Sequence, residues 1–454
     1  MRLGRILGAA VVVCSLVTGA IVIACKDNSP SPPPAVNQSL TDSITIGAVL
    51  SLNGSLNYLG GPEQLGMHVA LTQVNALGGV RGKSLNVVVI DDTTDPTTSN
   101  NAFATLIGDA GAGAIIGPTG SPEAVIAGPT VFAAQVIQIS PSASTPQMTD
   151  AQPAHDRFFF RTAASHALQA KALARWMVKG PPAGAFGCRK PAVIYQDDAF
   201  GAPIAAAFAT AVPLQPVDGG TATVPVSIKV PSAAKNSYSD EVQQVLSSGA
   251  DCQLLVLFQP LGKQYVIDWV KATQGNPIYT PDKFITLGCN ALQSDAFLSS
   301  TRTNPADPKS PTAAEGMFVL NFDTNPATPE YGDFKNLYTA AYPLAAGTDV
   351  SPYVANTYDA LILIALAIEQ AGGTSDKLKL RDALFAVSKG GTSYGPAQVG
   401  EALADIRAGK DIDYKGASGD VDFDDFGDVL QDFVVYSITS GAFQLLERIK
   451  SSTL

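Results

Sequence analysis

Residues 112–140 read AGAIIGPTGSPEAVIAGPTVFAAQVIQIS. The apolar run Ala114-Ile115-Ile116 is short and β-branched, as a buried strand requires. Gly117-Pro118-Thr119-Gly120 then breaks it. Ser121, Pro122 and Glu123 follow, a capping hydroxyl with proline at the first helical position and an acid behind it. The helix this predicts ends near Gln135, and "VIQIS" (136–140) is the next strand. A strand, a turn, a helix and a strand within thirty residues is the unit of a parallel sheet.

The same rhythm extends in both directions. Upstream, "ITIGAVL" (44–50) is a strand, 61–79 a helix ended by Gly78-Gly79, "SLNVVVIDD" a strand, and Asp95-Pro96 opens a second helix running to about Gly108. Downstream of "RFFFRTAAS" (157–165) the alternation restarts. A helix over 166–178 leads to the strands "PAVIYQDD", "TVPVSIKV", "CQLLVLFQ" and "KFITLGC", separated by helices, and then to the extended run 316–323. Helical segments are predicted at 330–342, 354–371 and 377–388. The second is apolar on every side, which marks a buried core helix, and the run Ala360–Ile368 is too short to span a bilayer. The tail after 412 is turn-rich, then strand-like.

The chain has 454 residues, 46% apolar and 15% charged, which suits a large folded core. The net charge of −11 opposes nucleic-acid binding. Arg2 and Arg5 precede an apolar run from Ile6 to Ala24. Val22-Ile23-Ala24-Cys25 then has the pattern of a lipoprotein cleavage site, with Cys25 as the residue to be lipidated. Residues 1–24 are expected to be a signal peptide; their removal deletes Arg2 and Arg5 and no acid, leaving −13. Residues 25–43, with "SPSPPPAVNQS", read as a flexible tether. The mature chain is expected on the extracytoplasmic side of a bacterial envelope, held to a membrane by lipid. Cys188, Cys252 and Cys289 form no C-x-x-C pair, so one disulfide among the three is possible and the spacing does not choose it.

The order of segments resembles the type I periplasmic-binding-protein family, in its leucine/isoleucine/valine-binding branch. The resemblance covers 42–445 and rests on "ITIGAVLSLNGSLNYLG", "QVNALGGVRGKSLNVVVIDDTTDP", "AGAIIGPTGS", "VIQISPSAST", "FFFRTAAS", "VIYQDDAFG", "PYVANTYDA" and "YKGASGDVDFDDFGD". It implies two doubly wound parallel-sheet α/β lobes joined by three crossover strands, with a solute trapped between them by hinge closure. Lobe one would be 44–161 plus 324–422, and lobe two 162–323 plus 423–454. The implied role is the receptor of an ABC importer, a monomer whose partners are a small solute and a membrane permease. A ligand sensor on the same fold is the alternative, and a hydrolase is a third option for which no nucleophile–base pair stands out.

The resemblance also implies the site. Tyr58 and Leu59 would cover the ligand from a loop tip. Thr119, Gly120, Ser121, Ser142 and Ser144 would cradle its polar head, with Ser121 as helix cap. Phe200 would close from lobe two; Phe258, Gln259, Gly288 and Cys289 sit at strand ends there; Tyr353 would line the side-chain pocket. The family's usual carboxylate for a ligand ammonium falls near Gly288-Cys289, where this chain has none. Either Asp197 or Asp198 takes that role, or the ligand is an amide, urea, hydroxy acid or aromatic acid. No cofactor or metal is expected. His68, His155 and His166 lack ligand spacing, and "DVDFDDFGD" (420–428) departs from a calcium loop at Asp425 and Gln431.

Overall fold

The computed structural model describes residues 43–154, 156–181, 187–217, 220–345 and 348–454. Cys25 and the tether lie outside them, apart from Ser43.

The first lobe begins with β1 (Ser43–Leu50), α1 (Asn57–Ala76), β2 (Ser84–Asp91), α2 (Pro96–Gly108), β3 (Ala114–Ile116), α3 (Ser121–Ala134), β4 (Ile137–Ser140), α4 (Pro146–Asp150) and β5 (Phe159–Arg161). The chain then builds α5 (His166–Lys179), β6 (Pro191–Gln196), α6 (Gly201–Ala211), β7 (Ser227–Val230), α7 (Ser239–Ser247), β8 (Cys252–Val256), α8 (Gln259–Thr273), β9 (Ile285–Gly288), α9 (Asp295–Ser300) and β10 (Phe318–Phe322). It returns through α10 (Pro329–Ala341), α11 (Val354–Ala371), α12 (Lys377–Ser388), β11 (Thr392–Tyr394), α13 (Val399–Arg407), β12 (Ile412–Gly416) and β13 (Gly419–Asp420). It ends on β14 (Phe433–Thr439) and β15 (Ala442–Ile449).

The first sheet is parallel in the order β2-β1-β3-β4-β5. The second runs β15-β14-β10-β9-β8-β6-β7, with β14 antiparallel to both its neighbours, β10 and β15, and every other pairing parallel. Each sheet reverses its strand order once, between β1 and β3 and between β6 and β8. Such reversals splay the following loops apart and open a crevice at the carboxyl ends of the strands.

The lobe-one core forms around α11, in which every residue but Gln370 is buried. One acid, Asp359, lies inside it. Its carboxylate accepts from Tyr414 Oη (2.7 Å), Ala417 N (2.9 Å), Ser418 N (2.8 Å) and Ser418 Oγ (2.6 Å). Burial still pushes its pKa up to about 6. Gly66 lets α1 approach α11, since a Cβ there would sit 2.1 Å from Val354 O.

Several expectations shift. The first helix starts at Asn57 and stops at Ala76, so Tyr58 and Leu59 sit on its first turn and not on a loop tip. Leu56 N donates to Thr94 Oγ1 (3.1 Å) and Leu59 N and Gly60 N to Leu56 O, which nucleates the turn early despite Pro62. Gly78 and Gly79 have positive φ and lie beyond the helix. In "TVPVSIKV" only Ser227–Val230 pairs as a strand. A helix, α13, and a small sheet β11-β12-β13 occupy the stretch before the tail. The disulfide joins Cys188 to Cys252, with Cα atoms 5.9 Å apart; Cys289 is buried and unpaired.

The chain passes between the sheets three times: after β5, after β10 and before β14. Arg161 N donates to Gly427 O (3.1 Å), and the Arg161 guanidinium pairs with Asp428 (2.7 Å). Asp323 N donates to Asp432 O (2.8 Å). Gln431 joins all three passages: its Oε1 accepts from Ala164 N (3.4 Å), and its Nε2 donates to Asp323 O (3.3 Å) and Ser418 O (3.1 Å).

Candidate functional site

The loops at the two strand-order reversals face each other across a small cavity of about 20 Å³. Leu56, Leu59, Thr119, Gly120, Ser121, Ser142 and Tyr353 line it from lobe one. His166, Phe200, Phe258, Asn290 and Ala291 line it from lobe two. That space holds roughly one water, so the lobes stand closed. Tyr58 Oη reaches across to donate to Ala291 O (3.0 Å), and Asn290 Nδ2 donates to Tyr353 Oη (2.9 Å). Tyr353 precedes α11 with φ of 67°, a left-handed conformation that an L side chain adopts only where its surroundings hold it.

Behind the lobe-one wall lies Glu63, fully buried on α1. Thr119 Oγ1 donates to its Oε2 (2.6 Å) and Ser142 Oγ to its Oε1 (2.5 Å). Burial pushes the Glu63 carboxyl up to about 7, against the pull of those two hydroxyls. Glu123 on α3 is also buried, with Oε2 lacking a partner among the described residues, and its carboxyl is pushed up to about 8 by burial.

The cap of α3 differs from expectation by one residue. Gly120 is the N-cap and Ser121 the first helical residue. A Cβ on Gly120 would lie 2.0 Å from Glu123 Oε2. The glycine therefore leaves room for the Glu123 carboxylate over the helix start, in the space a capping serine would fill.

The lobe-two wall is aromatic. Phe200 and Phe258 stack with centroids 4.4 Å apart, and His166 meets Phe200 edge-on at 5.3 Å. His166 N donates to Ser144 O (2.8 Å), which fixes the start of α5 against the cradle. Neither ring nitrogen of His166 has a partner among the described residues, and the same holds for Asn290 Oδ1. Burial, then the nearby Arg161 charge, lowers the His166 pKa to about 3, so the ring is neutral and offers one donor and one acceptor. Unpartnered buried polar atoms on residues that line a cavity are groups a bound polar molecule would satisfy.

Two lobes, two facing strand-order reversals and a cavity between them form the architecture of a solute-trapping protein. A periplasmic binding protein family model matches residues 43–441. The chain belongs to the periplasmic binding protein family. It is 25% identical over 417 residues to the chemotactic signal transduction system substrate-binding protein BasB of Halobacterium salinarum, covering 90% of each chain. Its fold is shared with the leucine-binding protein LivK of Thermotoga maritima, at a TM-score of 0.72 and 18% identity, over 90% of this chain and all of that one. It is also shared with a solute-binding protein of R. palustris in complex with benzoate, at 0.68 and 18%, over 89% and 96%.

In this periplasmic binding protein, eight of the expected site residues meet at the cavity: Leu59, Thr119, Gly120, Ser121, Ser142, Phe200, Phe258 and Tyr353. Five lie off its lining. Tyr58 latches to Ala291 instead. Ser144 is fully buried, its Oγ donating to Ser142 O (3.2 Å). Gln259 turns toward Ser300 Oγ (2.9 Å). Gly288 ends β9 beneath the surface, and Cys289 N is held by Leu255 O (3.0 Å), so the next two residues, Asn290 and Ala291, reach the cavity.

Neither Asp197 nor Asp198 fills the place of the missing acid. Asp198 Oδ1 accepts from Phe200 N and Gly201 N and its Oδ2 from Gln196 Nε2, while half-exposed Asp197 pairs with Lys229. Sequence reasoning missed Leu56, His166, Asn290 and Ala291 at the cavity, and Glu63 behind it. The one available signal was the placement of His166 directly after the first passage between lobes.

Proposed function

We propose that this protein is the extracytoplasmic, lipid-anchored receptor of an ABC importer, closing on a small carboxylate-bearing solute, an amino acid or a related acid. The observation that carries this reading is the pair of facing strand-order reversals. Their loops enclose polar atoms, on His166 and Asn290, that await a partner. A carboxylate would meet the neutral His166 donor and the Ser121 hydroxyl at the cavity wall. The stacked Phe200 and Phe258 would hold the apolar part of the solute. Binding energy would draw the lobes together, and the closed form would dock on the permease. Membrane attachment would run through Cys25.

The test is a thermal-shift screen of amino acids, hydroxy acids and benzoates. A true ligand at about 100 times its Kd stabilises by about 2.7 kcal/mol. Phe200→Ala should abolish the shift for the best hit. A silent panel, or a hit whose affinity ignores Phe200→Ala, counts against the cleft. For the anchor, Cys25→Ser protein should leave the membrane fraction.

The likeness to BasB favours a second reading, a sensor that reports the same ligand to a signalling partner. Deleting the gene separates the two: loss of labelled-ligand uptake marks a transporter component, and loss of a behavioural response with uptake intact marks a sensor.

A further inference from the structure

Hydroxyl protons can be counted. Thr119 Oγ1 accepts from Ser51 N (3.2 Å), so its single proton goes to Glu63 Oε2. Ser142 Oγ has two acceptors in reach, Glu63 Oε1 at 2.5 Å and Thr119 O at 2.9 Å, and one proton for them. With Glu63 ionised, both hydroxyl protons point at the carboxylate and only lone pairs remain for the cavity. Across the cavity Asn290 Oδ1, on a residue 92% buried, is a further acceptor with no donor among the described residues. Such a wall asks for N–H groups. With Glu63 protonated, the chain of bonds reverses. The carboxyl proton goes to Ser142 Oγ, Ser142 donates to Thr119 O, and the wall loses its charge.

We infer that Glu63 is a positioning residue that makes the cleft read the charge of its ligand: ionised, it selects solutes carrying an ammonium beside their carboxylate; protonated, it admits acids that lack one. This rests on the cleft being the solute site. The counter-charge that lobe two lacks is thus supplied from lobe one, through two hydroxyls and without direct contact.

The groups facing Glu63 leave it free to act as the switch. Asp92, beyond β2, accepts from Ser51 Oγ (2.7 Å) and raises the Glu63 pKa further. Tyr58, Tyr353 and Cys289, which feel the same buried charge or each other, stay protonated across neutral pH. His166 stays neutral there. Glu123, on the neighbouring helix, is pushed up to about 8 by burial and titrates in the same range, so its own variant is measured beside that of Glu63.

The experiment measures the affinity of the full-length protein for L-amino acids and for the 2-hydroxy acids and benzoates matching their side chains, at pH 5.5 and 8.5. With Glu63 titrating at about 7, its ionised fraction rises about 30-fold between those pH values, so the amino-acid preference should rise by about 30-fold where only the ammonium ligands sense the charge and by up to about 1,000-fold where the acids are excluded by it. Glu63→Gln should remove the part of that change centred near pH 7, and Glu123→Gln should leave that part in place. Thr119→Val and Ser142→Ala, which remove the relay and spare the acid, should each reduce it, and they keep the test open if Glu63→Gln misfolds. A preference that does not move with pH in the wild type, or that moves equally in Glu63→Gln, overturns the inference while leaving the cleft as the binding site. Silence of all three ligand classes at both pH values overturns the cleft reading, and this inference with it.

Discussion

Tyr58 Oη on the first turn of α1 donates to Ala291 O, 3.0 Å away on the opposite lobe. The bond exists only while the lobes are together, so it contributes to closure and not to the stability of either lobe. Tyr58→Phe removes it and leaves the ring in place. A typical net hydrogen bond is worth about 0.5–1.5 kcal/mol. The variant should therefore bind its ligand roughly 2- to 10-fold more weakly, mainly by faster dissociation, with an unchanged melting temperature for the unliganded protein. Stopped-flow fluorescence reads both rates.

Glu63 and Glu123 also set a pH dependence of folding. Their folded pKa values, about 7 and about 8, lie above the ordinary value of 4.5. The folded state therefore binds protons that the unfolded state has released, and stability falls as pH rises toward those values. His166 works in the opposite sense, but only below 6.5, where the unfolded ring begins to charge. Asp359 is ionised in both states above about 6. Between pH 6.5 and 8 the two glutamates dominate, so the melting temperature should drop over that interval. Glu63→Gln and Glu123→Gln should each flatten the slope.

Asp359→Ala should be among the most damaging single changes in lobe one. It strands Tyr414 Oη, two backbone amides and Ser418 Oγ in the core without an acceptor. Removing one partner of such a buried network costs about 3–5 kcal/mol. Chemical denaturation should show that loss in midpoint.

The Cys188–Cys252 bridge closes a loop with a sequence separation of 64. By loop-closure entropy it contributes about 4 kcal/mol. Reductant should lower the melting temperature of the wild type. A Cys188→Ala/Cys252→Ala protein should start lower and not respond.

The repeating strand and helix segments were legible because each is a local pattern: β-branched runs such as Ile44–Leu50, and an apolar helix such as α11 too hydrophobic to lie anywhere but inside. The cavity was half legible. Residues at strand ends, such as Thr119 and Phe258, are placed by the sheet itself. Glu63 was not legible, since an acid in the first turns of a helix is ordinary on a surface, and only Thr119 and Ser142, far along the chain, bury it. Asn290 displaced Cys289 because the cysteine amide is anchored to Leu255, a contact no spacing reveals. In β11–β13, short polar strands lack the apolar period that would announce them.

Gln431 is one of the two residues that break the calcium-loop pattern after Asp420. Its amide spans all three passages between the lobes, accepting from Ala164 and donating to Asp323 from the third passage, just before β14. A hinge of three separate ribbons could twist, splay or slide. Stitched through one side chain, the ribbons must turn as a single spindle, and the opening of the lobes becomes rotation about one axis. A glutamate here would lose the donor half of the stitch. One amide side chain gives the moving parts a common bearing.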